Sequence, residues 1–559
     1  MASSCLNGTS TEIRADIVIV GAGFSGCYAL HKLRLMGYTV KILEASTGFG
    51  GVWRINHYPG ARVDTETPVY QLRLPEVWQD FNFSERYPDH VELRKYFDHL
   101  DKVLDLRKDT YFNTRVEEVK YDLEKKTWSF RANGLNATST YAVFAVGASC
   151  DPYIPDWPGR SNFKGQLIHP ASWPEDFDPQ GKKIGVIGQG ASGLQIVQEL
   201  AKESCELSVF IRTPSTCFPM NQKAISIDES DHMKSYYDAI LGFAKHNTEA
   251  GYPFNLNQSD WTNATEEERQ RVYEWLWHRG GFVFLCSNYP EISLNKAANA
   301  SAYKFWAQKV RERIRDPVKR EILAPKKQQY WLGTKRPSLE QDYYESVDRS
   351  NVTLIDLKET PIREFTAEGI VTGNEHTSKL TELDIVVVAT GYDNLTGSLF
   401  KMNIHSKDGV KLQDKWKNGI STHLGMTVPG FPNAFFLYAP QAPSSLANGP
   451  PFIELQVDWV TQLLEKLRNE NIESIEASEK AGEIWKELVW SHYGTTLSTE
   501  TDSWWVGANI PGKKREPLVW FGGIQSWWGE CKNALQGLEN SGFILRKSDR
   551  KRTEHDRKL

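Results

Sequence analysis

The chain has 559 residues, a formal net charge of −5, one quarter of its residues charged and 40% hydrophobic. That length exceeds a single compact core and predicts two to four domains, while the near-neutral balance excludes the basic footprint of a nucleic-acid binder. Seven scattered cysteines form no C-x-x-C pair and no metal spacing, which reads as reduced thiols in a cytoplasmic protein without zinc or disulfide exchange.

The amino end, Met1 to Arg14, is polar with no apolar signal core, and no later stretch approaches a membrane span. The first predicted unit is strand Asp16–Val20, the turn Gly21-Ala22-Gly23-Phe24-Ser25-Gly26, an amphipathic helix with Ala29, Leu30 and Leu33, and strand Thr39–Leu43 closing on Glu44. Glycines of a G-x-G-x-x-G turn let the backbone approach a pyrophosphate at the positive end of the helix. A carboxylate 23 residues after Gly21 suits an unphosphorylated adenosine ribose. Strand Tyr141–Ala145, followed by Val146-Gly147, closes this unit.

Cys150–Pro179 is rich in proline and reads as a junction. A second unit then repeats the plan about 165 residues after the first: strand Lys183–Ile187, the turn Gly188-Gln189-Gly190-Ala191-Ser192-Gly193, a helix through Glu203, and strand Leu207–Ile211. This unit closes on Arg212 and Thr213, a guanidinium and a hydroxyl that suit a 2′-phosphate, so its nucleotide is NADP. FAD in the first unit and NADPH in the second is the economical pairing, since hydride passes from a nicotinamide to a flavin.

From 214 to 334 the pattern turns helical, with a capping-box start at Thr265-Glu266-Glu267-Glu268 before Val272, Trp275 and Leu276, and helical spacing over Ala302–Ile314. This lobe is expected to be scaffold. Strand Asp384–Ala389 with Thr390-Gly391 closes the second unit as Tyr141–Gly147 closes the first, a faint internal repeat. The fold expected is therefore α/β, with two Rossmann-like dinucleotide-binding domains, the NADP domain inserted in the FAD domain, and a helical lobe. The expected boundaries are 1–150 and 386–545 for the FAD domain, 151–213 and 335–385 for the NADP domain, 214–334 for the lobe and 546–559 for a basic tail. Its last residues, Arg557-Lys558-Leu559, resemble the peroxisomal S-K-L address with a bulky cation at the first position, and the tail is read as solvated chain.

The junction carries Phe163-Lys-Gly165-Gln-Leu-Ile-His169-Pro-Ala-Ser-Trp173-Pro174, and at this point the chain resembles the Baeyer–Villiger monooxygenases, whose fingerprint is F-x-G-x-x-x-H-x-x-x-W-P. The resemblance continues through the stretch Gly51-Val52-Trp53 to Tyr58-Pro59-Gly60-Ala61-Arg62-Val63-Asp64, Lys335-Arg336-Pro337, Ala389–Asp393 and Ser503–Lys513. It implies tightly bound FAD, NADPH as hydride donor, and a reduced flavin that captures dioxygen to form a peroxide nucleophile. The partners implied are a small-molecule ketone and dioxygen, and the product an ester or lactone. An anionic peroxide needs a permanent cation, for which Arg336 is the candidate, with Asp64 orienting it rather than acting as a base.

Carried over from matching family positions are Ser25, Gly51, Val52, Trp53 and Tyr70 toward FAD, Lys335 toward the 2′-phosphate beside Arg212 and Thr213, and Arg62, Asp64 and Arg336 as cofactor-binding residues. Trp504 is expected on a loop closing over NADP, His169 in an interdomain coupling role, and Ala442–Pro451, with Gly449, beside the substrate. The nearest alternative is an N- or S-oxygenating flavin monooxygenase, which has no need of the Arg336–Asp64 pair. A catalytically silent NADPH-binding protein is a further alternative, and a disulfide reductase is disfavoured by the missing C-x-x-C.

Overall fold

The computed structural model of the protein describes residues 11–548. Two sheets carry the architecture. In the first, Thr11–Val20 lies between Val40–Leu43 and Leu135–Phe144, parallel to both. Thr110–Tyr111 extends it on one side, and Thr127–Ala132, Val116–Asp122 and Ile404–His405 on the other, while Ala434–Phe436 also pairs with Leu135–Phe144. The second sheet is parallel throughout, in the order Val352–Asp356, Glu206–Ile211, Lys183–Ile187, Ile385–Val388, Gln166–Ile168. Its central strands, like Thr11–Val20, are runs of branched aliphatic residues because both faces are covered; Ile184 and Val186 pack with the helical lobe, Ile187 and Val388 pack against Phe365 and Ile370, and Ile17, Val18, Ile184 and Val186 are fully buried.

The internal repeat is structural. Gly21 and Gly188 both take left-handed φ angles, 104° and 101°, and a Cβ on either would lie 2.5 Å from the Ala145 carbonyl oxygen or 2.4 Å from that of Ala389. Each closing strand thus ends against the first glycine of its own unit, and the close backbone approach leaves no room for a side chain at either glycine.

The chain leaves the first sheet after Phe144, builds the second between Gln166 and Val388, and re-enters the first at Ile404. The expected boundary at 385/386 cuts the strand Ile385–Val388, so the return falls behind Val388. The junction Cys150–Pro179 is not wholly irregular either. Its residues Gln166–Ile168 form an edge strand beside Ile385–Val387, too short to show any periodicity. A small antiparallel sheet of Ile362–Phe365, Gly369–Gly373 and Ser378–Glu382 adds strands that the sequence pattern does not announce.

The lobe contains the helices Ile227–His246, Glu266–Arg279, Lys296–Arg313 and Pro317–Leu323, begun by Ser226, Thr265, Asn295 and Asp316, whose side chains each accept a backbone N–H from the first turn. The Thr265/Glu268 capping box is fully formed. Tyr273, Leu276, Phe305 and Trp306 share one core with Ile184, Val186 and Leu207 of the second sheet, whereas Trp275 faces solvent.

Ala439–Pro451 ends as helix: Pro450 and Pro451 occupy the first turn of Gly449–Asn469, where a missing N–H costs no helical bond. The basic tail was expected from Arg546, but Arg546 and Lys547 belong to the strand Phe543–Lys547, paired with Ile472–Ala477. Arg557-Lys558-Leu559 lie outside the described residues. Among the described residues, no helix is long and apolar enough to cross a membrane.

Candidate active site

A cavity of about 1810 Å³ is lined by both glycine turns and by residues of both sheets and the segments between them. On the first-sheet side, Glu44 is almost fully buried, with its Oε2 accepting the Ala22 N–H (2.7 Å) and its Oε1 the Ser46 N–H (2.7 Å). Two backbone donors fix the carboxylate, and each oxygen retains a lone pair for a ribose hydroxyl. Gly21, Gly23, Ser25, Gly51, Val52, Trp53, Arg62 and Tyr70 line the same cavity. Trp53 Nε1 donates to the Tyr70 hydroxyl (2.9 Å), and Arg62 is held by Glu85 (2.8 Å) and the Tyr87 carbonyl (2.9 Å). Gly26 was expected to touch the cofactor and does not line the cavity. A Cβ there would meet the Gly21 carbonyl oxygen at 1.9 Å, so this glycine lets the helix pack on the turn; Gly193 is its counterpart at 2.3 Å from the Gly188 oxygen.

On the second-sheet side, Gly188, Gln189, Gly190, Ala191 and Ser192 line the cavity. Gln189 Oε1 is buried with no partner among the described residues, an orphan that a bound nucleotide would satisfy. Ser192 Oγ donates to the Tyr58 hydroxyl (3.0 Å). Arg212, Thr213 and Lys335 also line the cavity, and the Arg212 guanidinium has no hydrogen-bond or ion-pair partner among the described residues. Burial and then the nearby Arg212 pull the Lys335 ammonium below its usual pKa, with Lys358 adding to this. Such crowding of cations, one of them unpaired, fits a phosphate.

Arg336 lines the same cavity. Its Nε and Nη2 donate to Asp64 Oδ2 at 3.0 and 2.8 Å, and its Nη1 donates to the Ser445 carbonyl at 2.8 Å. Burial alone would disfavour its charge, but Asp64 outweighs that and holds the guanidinium above its ordinary pKa. The cation is therefore permanent at any working pH.

The helical lobe was expected to be scaffold, yet it walls this pair. Phe282 lies 5.0 Å below the Arg336 guanidinium, and the Tyr252 hydroxyl is 3.4 Å from Thr65 Oγ1, next to Asp64. Arg279 reaches Glu66 at 2.9 Å. The aromatic spacing of the lobe reads as core from sequence, and nothing local reveals that Phe282 faces Arg336. Tyr438 also lines the cavity and escaped notice. Its one signal is position: it follows the strand Ala434–Phe436 at the carboxyl end of a sheet, where α/β sites gather.

The fingerprint residues divide. His169 lines the cavity, while Phe163, Gly165 and Trp173 do not. Gly165 is hemmed in by the Asp384 carbonyl oxygen and the Phe163 ring, 2.3 and 2.5 Å from a would-be Cβ. His169 Nδ1 accepts the Ala171 N–H (3.1 Å), so its Nε2 carries the proton and donates to the Gly391 carbonyl (3.1 Å). Both nitrogens are occupied by backbone, and burial lowers the ring's pKa, so the imidazole is neutral. Trp173 packs edge-on against Tyr58 of the Gly51–Asp64 stretch, and its carbonyl accepts from His57 Nε2 at 2.8 Å. Trp504 lines the cavity on a loop held by Asn509 to the Tyr392 carbonyl (2.8 Å) and by Lys513 to Asp393 (2.6 Å).

Two dinucleotide cradles facing one fixed cation define a flavin- and nicotinamide-dependent oxidoreductase. Residues 14–226 match the family described as FMO-like, flavin-binding monooxygenase-like. The chain is 40% identical over 539 residues to cyclopentanone 1,2-monooxygenase of a Comamonas species, covering 96% of this chain and 97% of that protein. It is 34% identical to phenazine N-monooxygenase PhzNO1 of Lysobacter antibioticus, covering 95% and 97%. The crystal structure of OTEMO in complex with FAD and NADP superposes with a TM-score of 0.90 at 33% identity, covering 95% of this chain and 99% of that one. The chain belongs to the type I Baeyer–Villiger monooxygenases, within the FMO-like flavin monooxygenases. It is an NADPH- and FAD-dependent monooxygenase of Baeyer–Villiger type.

Proposed function

We propose that this enzyme converts a ketone, NADPH, a proton and dioxygen into an ester or lactone, NADP⁺ and water. The observation that carries the reading is the half-buried Arg336 guanidinium, fixed by Asp64 at 2.8 Å in the cavity lined by both cradles. Bound FAD, reduced by NADPH, supplies activated dioxygen. Arg336 provides the charge that stabilises negative oxygen as it develops, both on the attacking group and on the former carbonyl. Asp64 keeps the guanidinium in place and lies behind it, since a carboxylate facing the reacting oxygens would repel them.

In this reading Glu44 takes the adenosine ribose of FAD, and Ser25, the Gly51–Trp53 turn and Tyr70 hold the rest of that cofactor. Arg212, Thr213 and Lys335 take the 2′-phosphate of NADP, and Trp504 closes the cavity against water. His169 ties the junction to the Gly391 turn and takes no part in proton transfer. The likeness to cyclopentanone 1,2-monooxygenase favours a cyclic ketone as substrate.

The test is incubation with NADPH, ¹⁸O₂ and a panel of cyclic, linear and aryl ketones. The expected result is an ester or lactone carrying one ¹⁸O. Likeness to the phenazine N-monooxygenase supports a second reading, oxygen transfer to an aromatic nitrogen. An aromatic N-heterocycle in the panel decides between them: N-oxide without ester from any ketone would overturn the ketone reading.

A further inference from the structure

The segment that follows Ala434–Phe436 is bent against its preferences. Tyr438, Gln441 and Ser444 take φ angles of 54°, 63° and 34°, left-handed values that a bulky aromatic adopts only when its surroundings impose it. The Tyr438 N–H donates to Oε1 of the buried Gln456 (2.8 Å), and its ring meets Phe452 at 6.0 Å, so the side chain is aimed by the helix Gly449–Asn469.

Tyr438 lines the cavity, and its phenol is near enough to Arg336 and Asp64 to feel both charges. Among the described residues, the hydroxyl has no hydrogen-bond partner. Burial pushes its pKa up to about 12, so the group stays neutral and keeps its proton to donate. Arg336 commits three of its five N–H groups to Asp64 and Ser445, which leaves two for the reacting oxygens. A strained, anchored tyrosine with a free hydroxyl supplies a further, neutral donor of fixed direction to a polar reactant entering the cavity.

We propose that the Tyr438 hydroxyl donates a hydrogen bond to the carbonyl oxygen of the substrate, making Tyr438 a further catalytic residue beside Arg336. This assignment rests on the ketone reading above. The bond holds the carbonyl toward the side where negative charge develops, and it strengthens as that oxygen becomes anionic.

The test compares wild type and Tyr438→Phe as FAD holoenzymes. In the oxidised, NADP⁺-loaded protein, which cannot turn over, calorimetry measures binding of cyclopentanone and of methylenecyclopentane, its analogue without a carbonyl. The variant is expected to bind the ketone about tenfold more weakly and the hydrocarbon within about twofold of wild type, the loss of one neutral hydrogen bond. Its kcat/KM for the ketone falls at least as far, while flavin reduction by NADPH keeps its rate. Unchanged ketone binding, or equal weakening for both ligands, would overturn the assignment. So would a shifted visible spectrum of bound flavin with ketone binding intact, which would mean that the phenol faces the isoalloxazine. Failure of wild type to form ester from any ketone would instead bring down the ketone reading itself, and the assignment with it.

Discussion

Arg336 Nη1 donates to the main-chain carbonyl of Ser445, 109 residues further along the chain, at 2.8 Å. With Asp64 on the Nε and Nη2 edge, the guanidinium is pinned from two directions, one in the first-sheet unit and one in the strained segment that carries Tyr438. A lysine has the charge but cannot make this fork. Arg336→Lys is therefore expected to lose roughly 10²-fold or more in ester formation, and Arg336→Ala to lose it altogether. Both should retain bound FAD and NADPH-driven flavin reduction, followed by stopped-flow absorbance. An Arg336→Ala protein that made ester at the normal rate would remove the cation from the chemistry.

Selectivity for the phosphorylated nicotinamide is predicted to reside in Arg212 and Lys335. Arg212 is unpaired among the described residues, whereas Lys335 Nζ donates to the Asp502 carbonyl (2.5 Å), just before Trp504. Arg212→Ala should raise KM for NADPH about tenfold or more and leave KM for NADH nearly unchanged, because only the 2′-phosphate is lost as a partner. Lys335→Met should do the same and, by freeing Asp502, also raise hydrogen peroxide released per NADPH consumed. Steady-state kinetics with both nucleotides and a peroxide assay read these two effects separately.

The dinucleotide units were legible because each is local: strand, turn, helix and second-strand residue lie within about 30 residues, and their glycines answer to steric needs a sequence displays. The Arg336–Asp64 contact spans 272 residues and came only from the family resemblance, since no periodicity brings those positions together. Phe282 and Tyr438 stayed hidden for a related reason. An aromatic residue in an apolar run reads as core until the backbone shows which way it points, and the left-handed turn at Tyr438 has no signature in its own residue type. Gly26 and Gly193 shared a motif with cofactor-facing neighbours, but their close approach is to backbone oxygen.

A buried ion pair joins the lobe to the first unit. Lys245, on Ile227–His246, donates to Glu454 (2.9 Å) and Asp458 (2.7 Å) on the helix Gly449–Asn469. Glu454 also accepts the Arg73 N–H, and Asp458 the Tyr28 hydroxyl. Lys245→Met leaves the Glu454 carboxylate buried without its cation, at a cost of about 3–5 kcal/mol. The expected outcome is a thermal denaturation midpoint several degrees lower. Adding Glu454→Gln should recover part of the loss, because an amide is easier to bury than an unpaired carboxylate; a double variant less stable than the single would contradict this account.

His423 is predicted to set part of the acid limit. Its ring is packed against Phe543 (4.8 Å) and Trp485 (6.4 Å), and burial lowers its pKa from 6.5 to about 4. Above pH 6.5 it is neutral in folded and unfolded chains alike and contributes no pH dependence. Between 6.5 and about 4 the unfolded chain takes up a proton that the folded chain refuses, so stability falls as pH falls, by up to about 3 kcal/mol at the low end. His423→Phe keeps the aromatic packing and removes the titration. The variant should show a flatter loss of denaturation midpoint between pH 6.5 and 4 than wild type, with the two converging in shape above pH 7. Parallel curves over the whole range would assign the acid sensitivity to other groups.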